Sequence, residues 1–150
     1  MIKLQVGDKA PKFSTQNQKN ETISYQDFKG KKTVLYFYPK DDTSTCTAES
    51  CNLRDNHNVL QAAGYQVFGI SPQGTKSHKK FIDKYDLPFD LLIDEDHVVA
   101  EAFGVWGEKS MYGRTYMGII RTTFLFDEKG KITDIIEKVK AKEHHKQILT

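Results

Sequence analysis

A chain of 150 residues that is 38 % hydrophobic and 28 % charged is long enough to bury a core and reads as one globular domain spanning 1–150. Its formal net charge is only +2, with basic residues scattered among acids, which argues against nucleic acid or an anionic membrane as partner. The opening MIKLQVGDKAPKF lacks the apolar core of a secretory signal, and no apolar run reaches the roughly 20 residues that span a bilayer, so a cytoplasmic location is expected.

Residues 1–12 read as an extended arm, and Phe13 to Ser24 as a short antiparallel hairpin. Lys29, Lys31 and Lys32 then form the one basic cluster, read as a solvated turn. Thr33 to Tyr38 is apolar on both faces, as expected of a central strand covered on both sides. Pro39 stops it. A polar turn over 40–45 leads into a helix expected to run to about Ala63, with Thr43, Ser44 or Thr45 as its cap and Gly64 as its stop. Tyr65 to Ile70 is a second strand, 74–85 a second helix, Asp90 to Ile93 a third strand and Asp96 to Phe103 a further helix. Val105 to Gly118 reads as a long aromatic loop, with Trp106, Tyr112 and Tyr116 taken as loop packing. Thr122 to Phe126 is a fourth strong strand, Ile132 to Val139 its antiparallel partner across the DEKGK turn, and 141–149 a last helix. Strands alternating with helices before a terminal hairpin indicate an α/β sandwich with a mixed sheet.

Both cysteines lie in TVLYFYPKDDTSTCTAESC, Thr33 to Cys51. A structural disulfide is unexpected in the cytoplasm, so the pair is either reactive or simply buried packing. Cys46 falls in the expected first turn of a helix, where free N–H groups and the helix dipole favour a thiolate. Asp41, Asp42 and Glu49 oppose ionisation, so an activated Cys46 needs a cation. Lys40 is local; Arg121 heads a strand expected beside Thr33–Tyr38, and its planar fork can hold a carboxylate and an anion together. Five residues along a helix give a rise of roughly 7.5 Å and a rotation of about 140°, whereas a disulfide needs Cα atoms about 4.4 to 6.8 Å apart. Cys46 and Cys51 can share an intact helix or a bond, not both. Zinc, which takes about four ligands, is not expected from one C-x4-C pair, even with His144-His145 added. The spacing also departs from the C-x-x-C of thioredoxin-type oxidoreductases. His57 is expected on a helix face rather than as a ligand.

YFYPKDDTSTCTAESC resembles the peroxiredoxin signature P-x-x-x-T-x-x-C, and the second cysteine five positions on resembles the peroxiredoxin Q, or bacterioferritin comigratory protein, subfamily. VGDKAPKF and the stretch containing GVWGEKSMYGR and GIIRTTFLFD extend the similarity over nearly the whole chain. The resemblance implies a thioredoxin-like fold with an N-terminal β-hairpin extension, and a peroxidase without metal or organic cofactor. It implies that Cys46 is the peroxidatic cysteine and Cys51 the resolving one. It further implies that Thr43 and Arg121 bind the peroxide, Pro39 shields the pocket and Glu49 orients Arg121. The implied partners are a hydroperoxide substrate and thioredoxin or a similar dithiol, and a monomer is expected, with a dimer as the alternative. Where the family often has Pro-Gly between the threonine and the cysteine, this chain has Ser44-Thr45, a less rigid turn. The competing functional class is a redox-sensing or chaperone-like protein switched by a Cys46–Cys51 disulfide.

Overall fold

The two helical faces of this protein are separated by one sheet, and the alternation of side chains in its central strand decides what each face contains. The computed structural model describes residues 3–149. β1 (Ser14–Asn17) and β2 (Thr22–Ser24) form the N-terminal hairpin; β3 (Lys32–Phe37), β4 (Tyr65–Ser71) and β5 (Asp90–Ile93) are parallel; β8 (Thr122–Phe126) and β9 (Ile132–Ile136) close the other side. The order across the sheet is β2-β1-β5-β4-β3-β8-β9, with β8 antiparallel to β3 and β1 antiparallel to β5. This is the mixed sheet flanked by helices that the sequence suggested, and the N-terminal hairpin extends it at one edge.

In β3, Leu35 and Phe37 point into a core shared with Phe28, Phe103, Phe124 and Phe126. Val34, Tyr36 and the following Tyr38 point the other way, among Cys46, Leu53, Leu60, Phe81 and Ile148. The second core is covered by α1 (Ser44–Asp55), α2 (His57–Ala62), α3 (Thr75–Tyr85) and α5 (His144–Ile148). α4 (Val98–Ala102) covers the first. Asp94 caps α4 by accepting hydrogen bonds from the amides of Val99 and Ala100, both at 2.9 Å.

The sequence reading is corrected at three places. The expected single helix to Ala63 is broken at Asn56, which leaves helical geometry at φ −113° and ψ 15°. Its side-chain amide donates to the carbonyl of Asn52 at 2.9 Å, the competition with backbone bonding that makes asparagine a poor helix interior. The expected loop from Val105 to Gly118 is instead a hairpin of β6 (Trp106–Met111) and β7 (Arg114–Ile119), turning through Tyr112 and Gly113, both at positive φ. Such two-residue turns normally announce themselves with Asn-Gly or Asp-Gly; a tyrosine at φ 52° concealed this one. The helix expected over Asp96–Phe103 shortens to α4, because His97 takes a left-handed conformation at its start. Trp106 stacks on that histidine at 3.8 Å, while Tyr112 is 96 % exposed.

Gly69 of β4 connects this architecture to the cysteines. It pairs with Tyr36 across the sheet, and a Cβ on it would lie 2.7 Å from both the Tyr36 ring and Leu91. The space that glycine leaves is filled by the Tyr36 ring, whose hydroxyl meets Ser50 Oγ at 2.9 Å, between the two cysteines on α1. Gly69→Ala is therefore expected to destabilise the protein by about 2 kcal/mol through overpacking, measured as a lowered midpoint of urea unfolding with unchanged slope.

Candidate active site

β3 delivers the chain through Tyr38 and the half-buried Pro39 into a tight turn, and α1 begins at Ser44. Thr47 is the first residue of α1 whose amide finds a helical carbonyl, that of Thr43 at 2.8 Å. The amides of Ser44, Thr45 and Cys46 precede it and have no such partner within the helix. Ser44 and Thr45 thus enter the first helical turn in place of Pro-Gly. Thr43 occupies the cap position, but its hydroxyl makes no capping bond. It donates to the carbonyl of Lys40 at 3.1 Å and closes the turn, which leaves its oxygen as an acceptor.

Cys46, in the first turn of α1, is fully buried. Arg121, the residue before β8, comes beside it because β8 runs antiparallel to β3 with Phe37 opposite Thr122. One guanidinium nitrogen, Nη2, donates to Cys46 Sγ at 3.1 Å, and Nη1 donates to Glu49 Oε1 at 2.6 Å. Lys40, the other candidate cation, is exposed. The two aspartates expected to oppose ionisation of the thiol are engaged elsewhere. Asp41 accepts from Tyr38 at 2.6 Å and from Ser77 at 2.7 Å and pairs with His78 Nδ1 at 2.7 Å, while His78 Nε2 lies 2.7 Å from the carbonyl oxygen of Leu92. Asp42 accepts from Lys84 at 2.8 Å and Tyr85 at 2.6 Å. Together they fasten the turn before α1 to α3.

Cys51 lies within the same unbroken α1 and is half-buried. Burial pushes its thiol pKa above the ordinary value, an effect that Arg54 partly offsets. Asn52, the next residue, ties α1 to the end of the chain: its amide donates to the carbonyl of Lys142 at 2.9 Å, and its Oδ1 accepts from the His145 amide at 2.8 Å. Of the residues singled out from sequence, Cys46, Glu49 and Arg121 converge directly. Thr43 and Pro39 flank them on the turn, and Cys51 stands one and a half turns away. Among the described residues, no group of three His, Cys, Asp or Glu side chains is arranged to hold a metal ion.

His144 was missed as a member of this cluster. It was weighed only as half of a weak zinc pair, and nothing local in sequence relates it to residue 49. Its ring is fully buried, Nδ1 donates to Gln147 Oε1 at 2.8 Å, and Nε2 accepts from the Thr123 hydroxyl at 2.8 Å and lies 3.5 Å from Glu49 Oε2. A wider depression of about 600 Å³ lies near His57 and Phe89, at the amino ends of the parallel strands, and contains neither cysteine. Ligands of open α/β sheets bind at the carboxyl ends, where Cys46 sits.

The model of the AhpC/TSA family matches residues 6–135. This chain belongs to that family, in its Bcp and peroxiredoxin Q branch. It is 47 % identical over 149 residues to peroxiredoxin Bcp of Escherichia coli strain K12, covering 99 % of this chain and 96 % of that one. Peroxiredoxin Bcp of Bacillus subtilis is 45 % identical over 141 residues, with 94 % and 90 % covered. Among solved structures, Xanthomonas campestris peroxiredoxin Q superposes with a TM-score of 0.88 at 31 % identity, covering 99 % of this chain and 94 % of that one. The fold is therefore the thioredoxin-like fold of the peroxiredoxins, and the chain is a thiol-dependent peroxidase of the atypical 2-Cys class. Recycling of the oxidised thiol by a thioredoxin-type dithiol is general to this family.

Burial moves two neighbouring groups in opposite directions. Burial pushes the Glu49 carboxyl up from 4.5 to about 7 against the pull of Arg121. Burial pushes the His144 imidazole down from 6.5 to about 4, which the Gln147 hydrogen bond only partly resists. Folding therefore favours protonated Glu49 and neutral His144. The first contribution to stability is lost as pH rises from about 4.5 to about 7, and the second is gained as pH rises from about 4 to about 6.5. In wild type the two oppose each other. Across those respective windows Glu49→Gln should gain stability on wild type with rising pH, and His144→Asn should lose it, as read from urea midpoints.

Proposed function

We propose that Cys46 is the thiol that attacks the hydroperoxide and that Cys51 resolves the product. The observation that carries this reading is the Arg121 fork, with one nitrogen 3.1 Å from Cys46 Sγ and the other on Glu49. The Cys46 thiolate attacks one oxygen of ROOH; the O–O bond breaks, Cys46 becomes a sulfenic acid, and RO⁻ leaves and takes a proton to become ROH. Arg121 and the free amides at the start of α1 face the charge that develops on the departing oxygen. Thr43 accepts from the peroxide O–H, Glu49 orients Arg121, and Pro39 shields the pocket from water. Cys51 then condenses with the sulfenic acid, forming the disulfide and releasing water, after α1 has unwound. An external dithiol, in this reading thioredoxin, restores both thiols by exchange.

Hydrogen peroxide and organic hydroperoxides both fit this chemistry. A Xanthomonas campestris bacterioferritin comigratory protein, at 30 % identity and a TM-score of 0.88, is described by its alkyl peroxide reduction activity. We further propose that residues 1–150 form one domain, which the continuity of the seven-stranded sheet supports, and that the protein works as a cytoplasmic monomer. No helix among the described residues is long and apolar enough to cross a membrane.

Intact mass after one equivalent of hydrogen peroxide, without added thiol, tests the assignment. Wild type should lose two hydrogens as a monomer. Cys51→Ser should gain one oxygen and fail to be recycled by thioredoxin, and Cys46→Ser should leave both the protein mass and the peroxide unchanged. Oxidation of Cys46→Ser at the wild-type rate would refute the reading.

The same assay addresses the fork. Arg121→Lys keeps the charge but cannot serve both partners, and loss of one charge-assisted bond of about 1.5–3 kcal/mol should slow Cys46 oxidation by about 10- to 100-fold. Rapid quenching followed by mass measurement reads this rate.

A further inference from the structure

Asn52 follows Cys51 on α1, and both polar atoms of its side chain are engaged by the terminal segment of the chain. Nδ2 donates to the carbonyl of Lys142 at 2.9 Å, and Oδ1 accepts from the amide of His145 at 2.8 Å. These backbone partners fix the orientation of the amide, because a carbonyl only accepts and an N–H only donates. His145 Nδ1 lies 3.0 Å from the same Nδ2. Lys142 belongs to a short 3₁₀ turn, Ala141–Glu143, and His145 to the first turn of α5. The residue at the cap position of α5, Glu143, makes no side-chain capping bond. Asn52 supplies that bond from another helix.

The terminal segment is anchored independently of α1. His144 is fully buried and its ring meets the Thr123 hydroxyl of β8 at 2.8 Å, and Ile148, 2 % exposed, packs in the second core. Upstream, Asp41 and Asp42 fasten the turn ahead of Cys46 to α3. Cys46 thus lies at a pinned and fully buried end, while Cys51 is half-buried and stands about 140° around the helix from it. The displacement that brings the two sulfurs together falls on the Cys51 side. Asn52, its neighbour in the chain, is carried with it, and the segment that grips Asn52 does not follow. We propose that Asn52 is a positioning residue for the resolving step: its clamp on Lys142 and His145 holds Cys51 away from Cys46 and has to open before the disulfide forms. The inference rests on the proposed roles of the two cysteines.

The clamp sets how long the sulfenic acid lives. In one branch the Cys46 sulfenic acid condenses with the Cys51 thiol: the S–S bond forms, the S–O bond breaks, and water leaves. In the other a second hydroperoxide gives one oxygen to the same sulfur, which becomes a sulfinic acid while ROOH is reduced to ROH. The first branch needs the clamp open; the second needs only substrate. Opening is a local unfolding equilibrium, and removing bonds that exist only in the closed form raises the open fraction by their net worth. Alanine at position 52 is also the better helix former, which by itself holds α1 together and slows the condensation. The clamp and the helix therefore give opposite signs for one substitution.

The measurement is a single turnover of the full chain with one equivalent of hydrogen peroxide, quenched at intervals into a sulfenic-acid trap and read by intact mass. Asn52→Ala should convert sulfenic acid to disulfide about tenfold faster than wild type, the two lost bonds outweighing the gain in helix propensity. The first oxidation should stay within about twofold of wild type, and so should the conversion in Asp94→Ala, which uncaps α4 on the other face of the sheet. At excess peroxide the sulfinic fraction of Asn52→Ala should fall. An unchanged or slower conversion in Asn52→Ala, or an equal acceleration in Asp94→Ala, would overturn the proposal. Should Asn52→Ala fail to fold, the wild-type chain still decides. Hydrogen exchange at the His145 amide should be at least about tenfold faster in the disulfide form than in the dithiol form; equal protection in the two would overturn the proposal. Failure of the underlying reading has a different signature, because wild type would then form no bond between Cys46 and Cys51 at all.

Discussion

The fork of Arg121 is the interaction on which the site depends. Its two ends bind groups three residues apart on α1, the Cys46 sulfur and the Glu49 carboxylate, while its backbone is fixed by the register of β8 against β3. A helix start can favour a thiolate anywhere; what is particular here is that the sheet brings a cation to the same sulfur. The other partners of α1 hold it for that encounter. Tyr36 sets Ser50, Asn52 ties the helix to the chain's end, and Asp41 and Asp42 fasten the preceding turn to α3. Carboxylates that would have raised the thiol pKa are thereby converted into fasteners.

What could be read from the sequence follows the range over which each interaction acts. The buried strand of Thr33–Tyr38, the thiol at the helix start and the conflict between helix and disulfide are local, and residue spacing states them directly. Arg121 was reachable because a strong strand beginning at Thr122 had an obvious place beside β3. Glu49 was placed by its spacing on the same helix. His144 was not reachable, since its link to Glu49 crosses from α5 to α1 through a buried contact that no periodicity encodes. The roles of Asp41 and Asp42 were read with the wrong emphasis for the same reason: their partners, Ser77, His78, Lys84 and Tyr85, lie on a helix more than thirty residues away. The hairpin of β6 and β7 was lost because a tyrosine stands where asparagine or aspartate would have marked the turn, and the break at Asn56 because apolar spacing continues across it to Leu60.

The unbroken α1 also bears on the disulfide that the proposed reaction forms between Cys46 and Cys51. Leu53 and Cys46 are buried on this helix against Tyr36, Tyr38 and Phe81, and a bond from Cys46 to Cys51 requires its turns to be undone. The helix thus stabilises the dithiol form selectively. In a two-electron couple each 1.4 kcal/mol of such preference raises the reduction potential by about 30 mV. The packing that delays formation of such a bond would make it a better oxidant once formed, so the helix that buries one thiol also bears on the direction in which electrons flow through the pair.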